Sequence, residues 1–249
     1  MGSAASVVSA SAVRERPILF SADMVRALLD GRKTVTRRLL KPQPAPNAPH
    51  DGGTVWEFRP DNGLHVPCGT VGHLTVAEKM GLRCPYGQPG ERLWVKEAWR
   101  PCVAHSHGMD ACDCGDVSIT YRADGAERFF ADRDVPNEWT MPRAAERGNV
   151  TPLFMPRWAS RLTLEVGSVR VERLHDITEE DAQAEGVERH PESCGWLNYE
   201  PSPPFESVSY HLTARESFAS LWRSLNGPES WDANPWCWRV EFRRVEVSR

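Results

Sequence analysis

The densest chemistry in the chain lies between Gly31 and Arg38, where GRKTVTRR supplies one lysine, two threonines and three arginines without an acid among them. Guanidinium forks grip phosphate through paired donors and a lysine acts as a point charge, so Arg32, Thr34, Arg37 and Arg38 are candidates for phosphate or base-edge contacts. A solvated basic edge strand, whose charges prevent edge-to-edge aggregation, accounts for the same residues without a ligand. Glu185, in the segment ITEEDAQAEGV, is a second candidate. It falls in the last turn of an expected helix, where the macrodipole disfavours negative charge, and a carboxylic acid held there can serve as a general acid. The plain alternative is an exposed glutamate at a frayed helix end. A third group, Cys102, His105, His107, Cys112 and Cys114, offers soft ligands that zinc would use to staple a loop. Their CxC and HxH spacings differ from the usual CxxC knuckle, and no other cofactor is expected.

The elements that must position these residues are legible in part. Ser21 is an N-cap candidate ahead of Met24, Val25, Leu28 and Leu29 at helical spacing, with Gly31 where a C′ residue belongs. Prolines at 42, 44, 46 and 49 end regular structure after the basic run. Arg92 to Trp99 and Val117 to Arg122 read as strands. Leu162, Leu164 and Val166 alternate and then change phase after Gly167 to Val169 and Val171, which requires a hairpin or a bulge. Thr178 and Asp181 form an acidic variant of the capping box before a helix closed by Gly186, and Thr213 with Glu216 forms another before a helix closed by Gly227. Trp236, Trp238, Val240 and Phe242 alternate with polar residues as a final half-buried strand. Sheet segments around a few short helices, without βαβ alternation, imply an α+β chain built on a small twisted sheet or barrel.

The bulk figures narrow the function. A net charge of −4 over 249 residues argues against a protein that coats polyanions over its whole surface, so any nucleic-acid contact is local. Seven irregularly spaced cysteines do not form a secreted disulfide framework, and no apolar run is long enough to span a bilayer, so a cytoplasmic setting without membrane is expected. Residues 1–16 read as a disordered leader and 17–249 as a single domain with insertions at about 42–90, 100–150 and 188–210. Of the ten tryptophans, Trp222, Trp236 and Trp238 lie on expected core faces, whereas Trp99, Trp196 and Trp231 fall near loops and are candidates for base stacking.

GRKTVTRR after a short helix, LWVKEAW, the TEEDAQAEG helix and the closing strand WCWRVEFRRV together resemble the ASCH family of PUA-like domains, in the version found in phage and prophage proteins. The resemblance implies a small β-barrel with flanking short helices, large loop insertions and a cleft for RNA or nucleoside ligands. Some bacterial members are small amidohydrolases that deacetylate N4-acetylcytidine. Matched motif to motif, their functional lysine, threonine and glutamate fall on Lys33, Thr36 and Glu185. The implied roles are Thr36 as nucleophile, Lys33 as base and Glu185 as proton donor to the departing amine, with Arg38 at a basic position of the motif. Two functions follow as expectations. One is hydrolysis of an N4-acylated cytidine or related modified nucleoside; the other is recognition of RNA or modified DNA in the same cleft without turnover. Lys33 and Thr36 would face opposite sides of an ideal strand, so the site requires a turn or bulge between them.

Overall fold

The computed structural model describes residues 13–41, 43, 55–59, 64–68, 83–104, 115–201 and 210–246. Its elements are β1 (Glu15–Leu19), α1 (Ala22–Leu29), β2 (Val35–Leu39), β3 (Val55–Arg59), β4 (Leu64–Cys68), β5 (Arg92–Lys96), β6 (Trp99–Val103), β7 (Val117–Tyr121), β8 (Glu127–Phe130), β9 (Thr163–Arg173), α2 (Glu179–Ala184), β10 (Trp196–Leu197), β11 (Tyr210–His211), α3 (Ala214–Asn226) and β12 (Trp236–Val245). The class is α+β, dominated by sheet. The principal sheet runs β1-β5-β9-β12-β2, with β1 and β5 parallel and the other pairs antiparallel. Among the described residues no ladder joins β1 to β2, so the sheet is open along its hydrogen bonds rather than closed into a barrel. The Arg38 guanidinium donates to Leu19 O at 2.5 Å and links the two edge strands through a side chain instead. β1 starts at Glu15, so the first strand overlaps the stretch 1–16 expected to be a leader.

The phase change at Gly167 is a bulge. Phe242 pairs with Val166 and Glu241 with Ser168, leaving Gly167 as the extra residue in an otherwise continuous β9. The slip of one residue keeps Leu164, Val166, Val169 and Val171 in the same core, where they pack with Ile18, Phe20, Val25, Leu93 and Val240. α1 covers this core with Val25 and Leu28; Ser21 accepts from Met24 N at its start, and Gly31 at φ 73° carries the chain out of its end.

The expected strand Arg92–Trp99 is divided. β5 ends at Lys96, and β6 starts at Trp99 in a separate three-stranded sheet, β6-β7-β8. Glu97 marks the switch: buried between the two sheets' strands in sequence, it accepts two hydrogen bonds from Arg161, both at 2.9 Å. The region from Cys102 to Arg147, expected to be loop around one strand at Val117 to Arg122, contains that strand and, with its flanks from Trp99 to Ala159, has a core of its own. Trp99, Ile119, Tyr121, Val150 and Met155 are fully buried there, and Trp139 and Trp158 pack in T-shaped geometry at 5.1 Å.

A third cluster joins α2 and α3. Glu179 of α2 accepts from the backbone N–H groups of Ala214 (2.6 Å) and Arg215 (3.0 Å), capping the start of α3, while Thr213 and Glu216 complete the expected capping box there. Phe218, Trp222, Trp231 and Trp196 fill the space between. Trp222, Trp236 and Trp238 are buried as expected, but so are Trp99, Trp196 and Trp231; of these three Trp196 reaches a cavity wall, with Arg189 over its ring at 3.9 Å. Each lies in a local core that the surrounding loop-like composition did not announce.

Candidate active site

One local hydrogen bond and two longer-range approaches bring α1 and residues 31–37 against residues 178–186. Lys33 N donates to Ala27 O at 3.0 Å, and Thr34 N donates to Ala184 O at 2.9 Å, docking the turn after α1 onto the last residue of α2. Gly186, at φ 90°, is where the two segments meet; a Cβ there would lie 2.8 Å from Ala27 Cβ and 3.0 Å from Lys33 Cβ. Only glycine tolerates both the dihedral and the contact. Lys33 thus precedes β2 rather than belonging to it, and strand alternation does not separate it from Thr36.

Lys33 is 2% exposed, and its ammonium donates to three acceptors: Val35 O (2.9 Å), Glu185 O (2.7 Å) and Glu185 Oε2 (2.8 Å). Burial pushes the amine below the ordinary lysine range, with Glu185 opposing that shift and Arg38 and Arg37 adding to it. Glu185 is the C-cap of α2, where the dipole argument suggested an unfavourable position for a carboxylate. Cations compensate it there. Besides Lys33, Arg37 donates to Glu185 Oε1 at 3.4 Å, so two buried positive groups offset the helix end.

Arg37 is held by carboxylates, although among the described residues its Nε is buried without an acceptor. Its guanidinium is fully enclosed and ion-paired with Glu172 (2.5 Å), Asp181 (2.6 Å) and Glu185. Asp181 in turn accepts from Arg239 at 2.7 and 3.1 Å. Against the burial that would raise it, the hydrogen bonds from Arg239 and Arg37 hold the Asp181 carboxyl down to about 2. This also corrects the capping reading: Thr178 Oγ1 accepts from Asp181 N at 3.1 Å, but the Asp181 side chain turns to the arginines instead of returning to the N-cap backbone. Asp181 and Glu185, four residues apart, share the helix face turned to β2 and β12. That spacing was the available signal for the network, and the capping motif concealed it.

Thr36 is 2% exposed, stands opposite Val240 in the β2–β12 ladder, and lines a cavity of about 570 Å³ together with Arg38, Tyr86, Glu185, Trp222 and Trp238. Among the described residues its hydroxyl has no hydrogen-bond partner. Glu185 therefore touches both Lys33 behind the wall and the space in front of Thr36. Lys41, the last cation of the basic run, also lines this cavity, as do Arg83 and Tyr86, which nothing in their local sequence marks out. Arg32 and Thr34 belong elsewhere. They line a separate cavity of about 800 Å³ with Glu188, Arg189 and Trp196, where Arg32 is paired with Asp30 and Glu188. Of the basic run, Arg37 and Arg38 both line the Thr36 cavity, Arg37 while tied into the buried network, and Arg32 and Thr34 line the second cavity.

Burial pushes the thiol of the nearby Cys237 up to about 12. Cys102 is exposed on β6, while His105, His107, Cys112 and Cys114 lie outside the described residues. Among the described residues no group of three or more side chains is arranged to hold a metal, and no helix is long and apolar enough to cross a membrane. Comparison with protein-family models, curated proteins and solved structures finds no match to the chain.

Proposed function

We propose that the Thr36 cavity binds a modified nucleoside and hydrolyses its acyl amide, an N4-acylated cytidine being the model substrate. The observation that carries this reading is the fully enclosed Lys33–Glu185 pair behind a cavity into which Thr36 faces. A buried ion pair adds little net stability over apolar residues of the same volume, so a chain that keeps one at a cavity wall has reason to use it in chemistry.

The chemistry balances within the three residues. Transfer of one proton from Lys33 to Glu185 leaves a neutral amine and a neutral acid, and desolvation lowers the cost of that transfer. The Thr36 hydroxyl then attacks the amide carbonyl and gives its proton to Lys33, while Glu185 protonates the departing N4 amine. The products are the free cytidine, a Thr36 ester and the original ammonium–carboxylate pair. Water cleaves the ester in the same way, with the acid released and Thr36 restored. On this reading the chain is an ASCH-type, PUA-like domain of phage or prophage kind acting in the cytoplasm, and the Arg38 bridge between β1 and β2 is the seam of its barrel.

A second reading, recognition of RNA or modified DNA without turnover, draws support from one specific feature: all three Lys33 protons are already donated, and Lys33 itself does not line the cavity. Incubating the protein with N4-acetylcytidine and related acylated nucleosides, followed by chromatography, separates the two. Free cytidine and acetate are expected. Intact substrate from every compound tested would leave the binding reading.

A further inference from the structure

We propose that the Thr36 cavity carries an anion subsite, formed by Arg38 with Lys41 and Arg83, and that its ligand is a phosphate ester of a nucleoside rather than the free nucleoside. This deepens the preceding reading and rests on it for the nucleoside part only.

The charges around the cavity do not cancel. Its charged lining residues are Arg37, Arg38, Lys41, Arg83 and Glu185. Glu185 is taken by Lys33 and Arg37, and Arg37 by Glu172, Asp181 and Glu185. Arg38, Lys41 and Arg83 remain, and among the described residues none of them has a carboxylate partner. The charge left open to a ligand is therefore positive.

Arg38 is also prepared for an anion. Its guanidinium stacks over the rings of Phe20 (5.1 Å) and Tyr86 (5.9 Å), one nitrogen is anchored on Leu19 O, and its Nε is buried without a hydrogen-bond partner. A buried donor with no acceptor is costly, and burial pulls the group below the ordinary arginine range, with Tyr86 and Glu185 only partly opposing. An anion at this point would relieve both conditions. Because the fork is held by aromatic faces, little side-chain entropy is lost on binding. Three cations match the charge of a phosphomonoester better than that of a single carboxylate. The adjoining wall of Met24, Leu221, Trp222 and Trp238 gives the apolar surface a base requires.

Isothermal titration of the intact protein with cytidine, cytidine 5′-monophosphate, ribose 5-phosphate and a single-stranded oligocytidylate tests this without relying on turnover. The monophosphate should bind at least about tenfold more tightly than cytidine, the effect of one charge-assisted contact, with an affinity that falls as salt rises. A Lys41→Gln/Arg83→Gln double variant, at two exposed residues of the cavity wall, should reduce that preference by lowering nucleotide affinity more than cytidine affinity; Arg38→Lys, which keeps the charge but loses the fork, should reduce it further. Equal affinity for nucleoside and nucleotide, or a preference untouched in both variants, would overturn the subsite. Ribose 5-phosphate binding as tightly as the nucleotide would uphold the subsite and remove the nucleoside reading. Oligocytidylate binding with the same dependence on Lys41 and Arg83 would support it with a phosphodiester chain as the source of the anion.

Discussion

Replacing Glu185 by glutamine keeps the shape of the side chain and removes its charge, leaving the Lys33 ammonium in a place that water does not reach. The carboxylate stands 2.8 Å from Lys33 Nζ and 3.4 Å from Arg37, and both side-chain partners have no exposed surface. Removing one member of such a pair typically costs 3–5 kcal/mol. Three features place this case near the lower end, about 3 kcal/mol at neutral pH: the glutamine oxygen still accepts one hydrogen bond, Lys33 keeps Val35 O and Glu185 O, and the amine can shed its proton. The last feature gives the variant a characteristic pH dependence. Burial lowers Lys33 and Glu185 opposes that lowering, so without the carboxylate the folded-state value falls further. Between this lowered value and the ordinary lysine value of about 10.4, the unfolded chain binds more protons than the folded one, and stability rises with pH. The loss caused by Glu185→Gln is therefore complete on the acid side of that window and diminishes toward alkaline pH. Lys33→Met should cost less, about 2 kcal/mol, because Glu185 retains Arg37, and the double variant should cost less than the sum of the two. Urea denaturation of all four proteins at pH 6 and pH 9 measures every quantity involved. A Glu185→Gln loss below about 1 kcal/mol, or one identical at both pH values, would refute the reasoning.

Three further outcomes follow from the same geometry. Asp181→Asn should destabilise the fold by about 3 kcal/mol by leaving the Arg37 and Arg239 guanidiniums short of a carboxylate. In the unchanged protein the Asp181 contribution is present above the unfolded carboxylate value of about 4 and is lost as pH falls through about 2, which acid titration followed by circular dichroism should register only in the protein that keeps Asp181. Gly186→Ala places a Cβ 2.8 Å from Ala27 Cβ at φ 90° and should cost about 2–3 kcal/mol by thermal unfolding, with Lys33 displaced from its acceptors. Trp99→Ala should cost about 3–5 kcal/mol, and hydrogen exchange should show the loss of protection concentrated in β6, β7 and β8 and not in β9 and β12, because Trp99 belongs to the separate core of residues 99–159.

What could be read from the sequence was mostly local. The Ser21 and Thr213 caps and the phase change at Gly167 are each fixed by neighbours within a few residues, and each has its counterpart in the structure; the closing strand forms over Trp236–Val245, but Cys237 and Arg239 are buried as well, so from 236 to 240 both of its faces are covered. The approach of Lys33 to Glu185 was accessible only through the family resemblance, since 152 residues separate them and no periodicity links a turn to a helix end. Charge pattern misled where partners were distant. Arg37 looks like its neighbours in GRKTVTRR, yet Glu172, Asp181 and Glu185 hold its guanidinium, while Arg38, one residue on, has no carboxylate partner among the described residues and stacks on Phe20 and Tyr86. Trp99, Trp196 and Trp231 were misread for the same reason: burial depends on what packs around a residue, and Gly- and Pro-rich flanks concealed the small cores that hold them.

The central claim, that Thr36 acts chemically on a ligand held in its cavity, is tested most directly by Thr36→Val, which keeps the volume and removes the hydroxyl. Turnover of N4-acetylcytidine and its 5′-monophosphate should fall by at least about a thousandfold while the dissociation constants stay within about twofold, as expected for a group that acts only in the transition state. Turnover unaffected by the substitution, or turnover and affinity lost in parallel, would contradict the account.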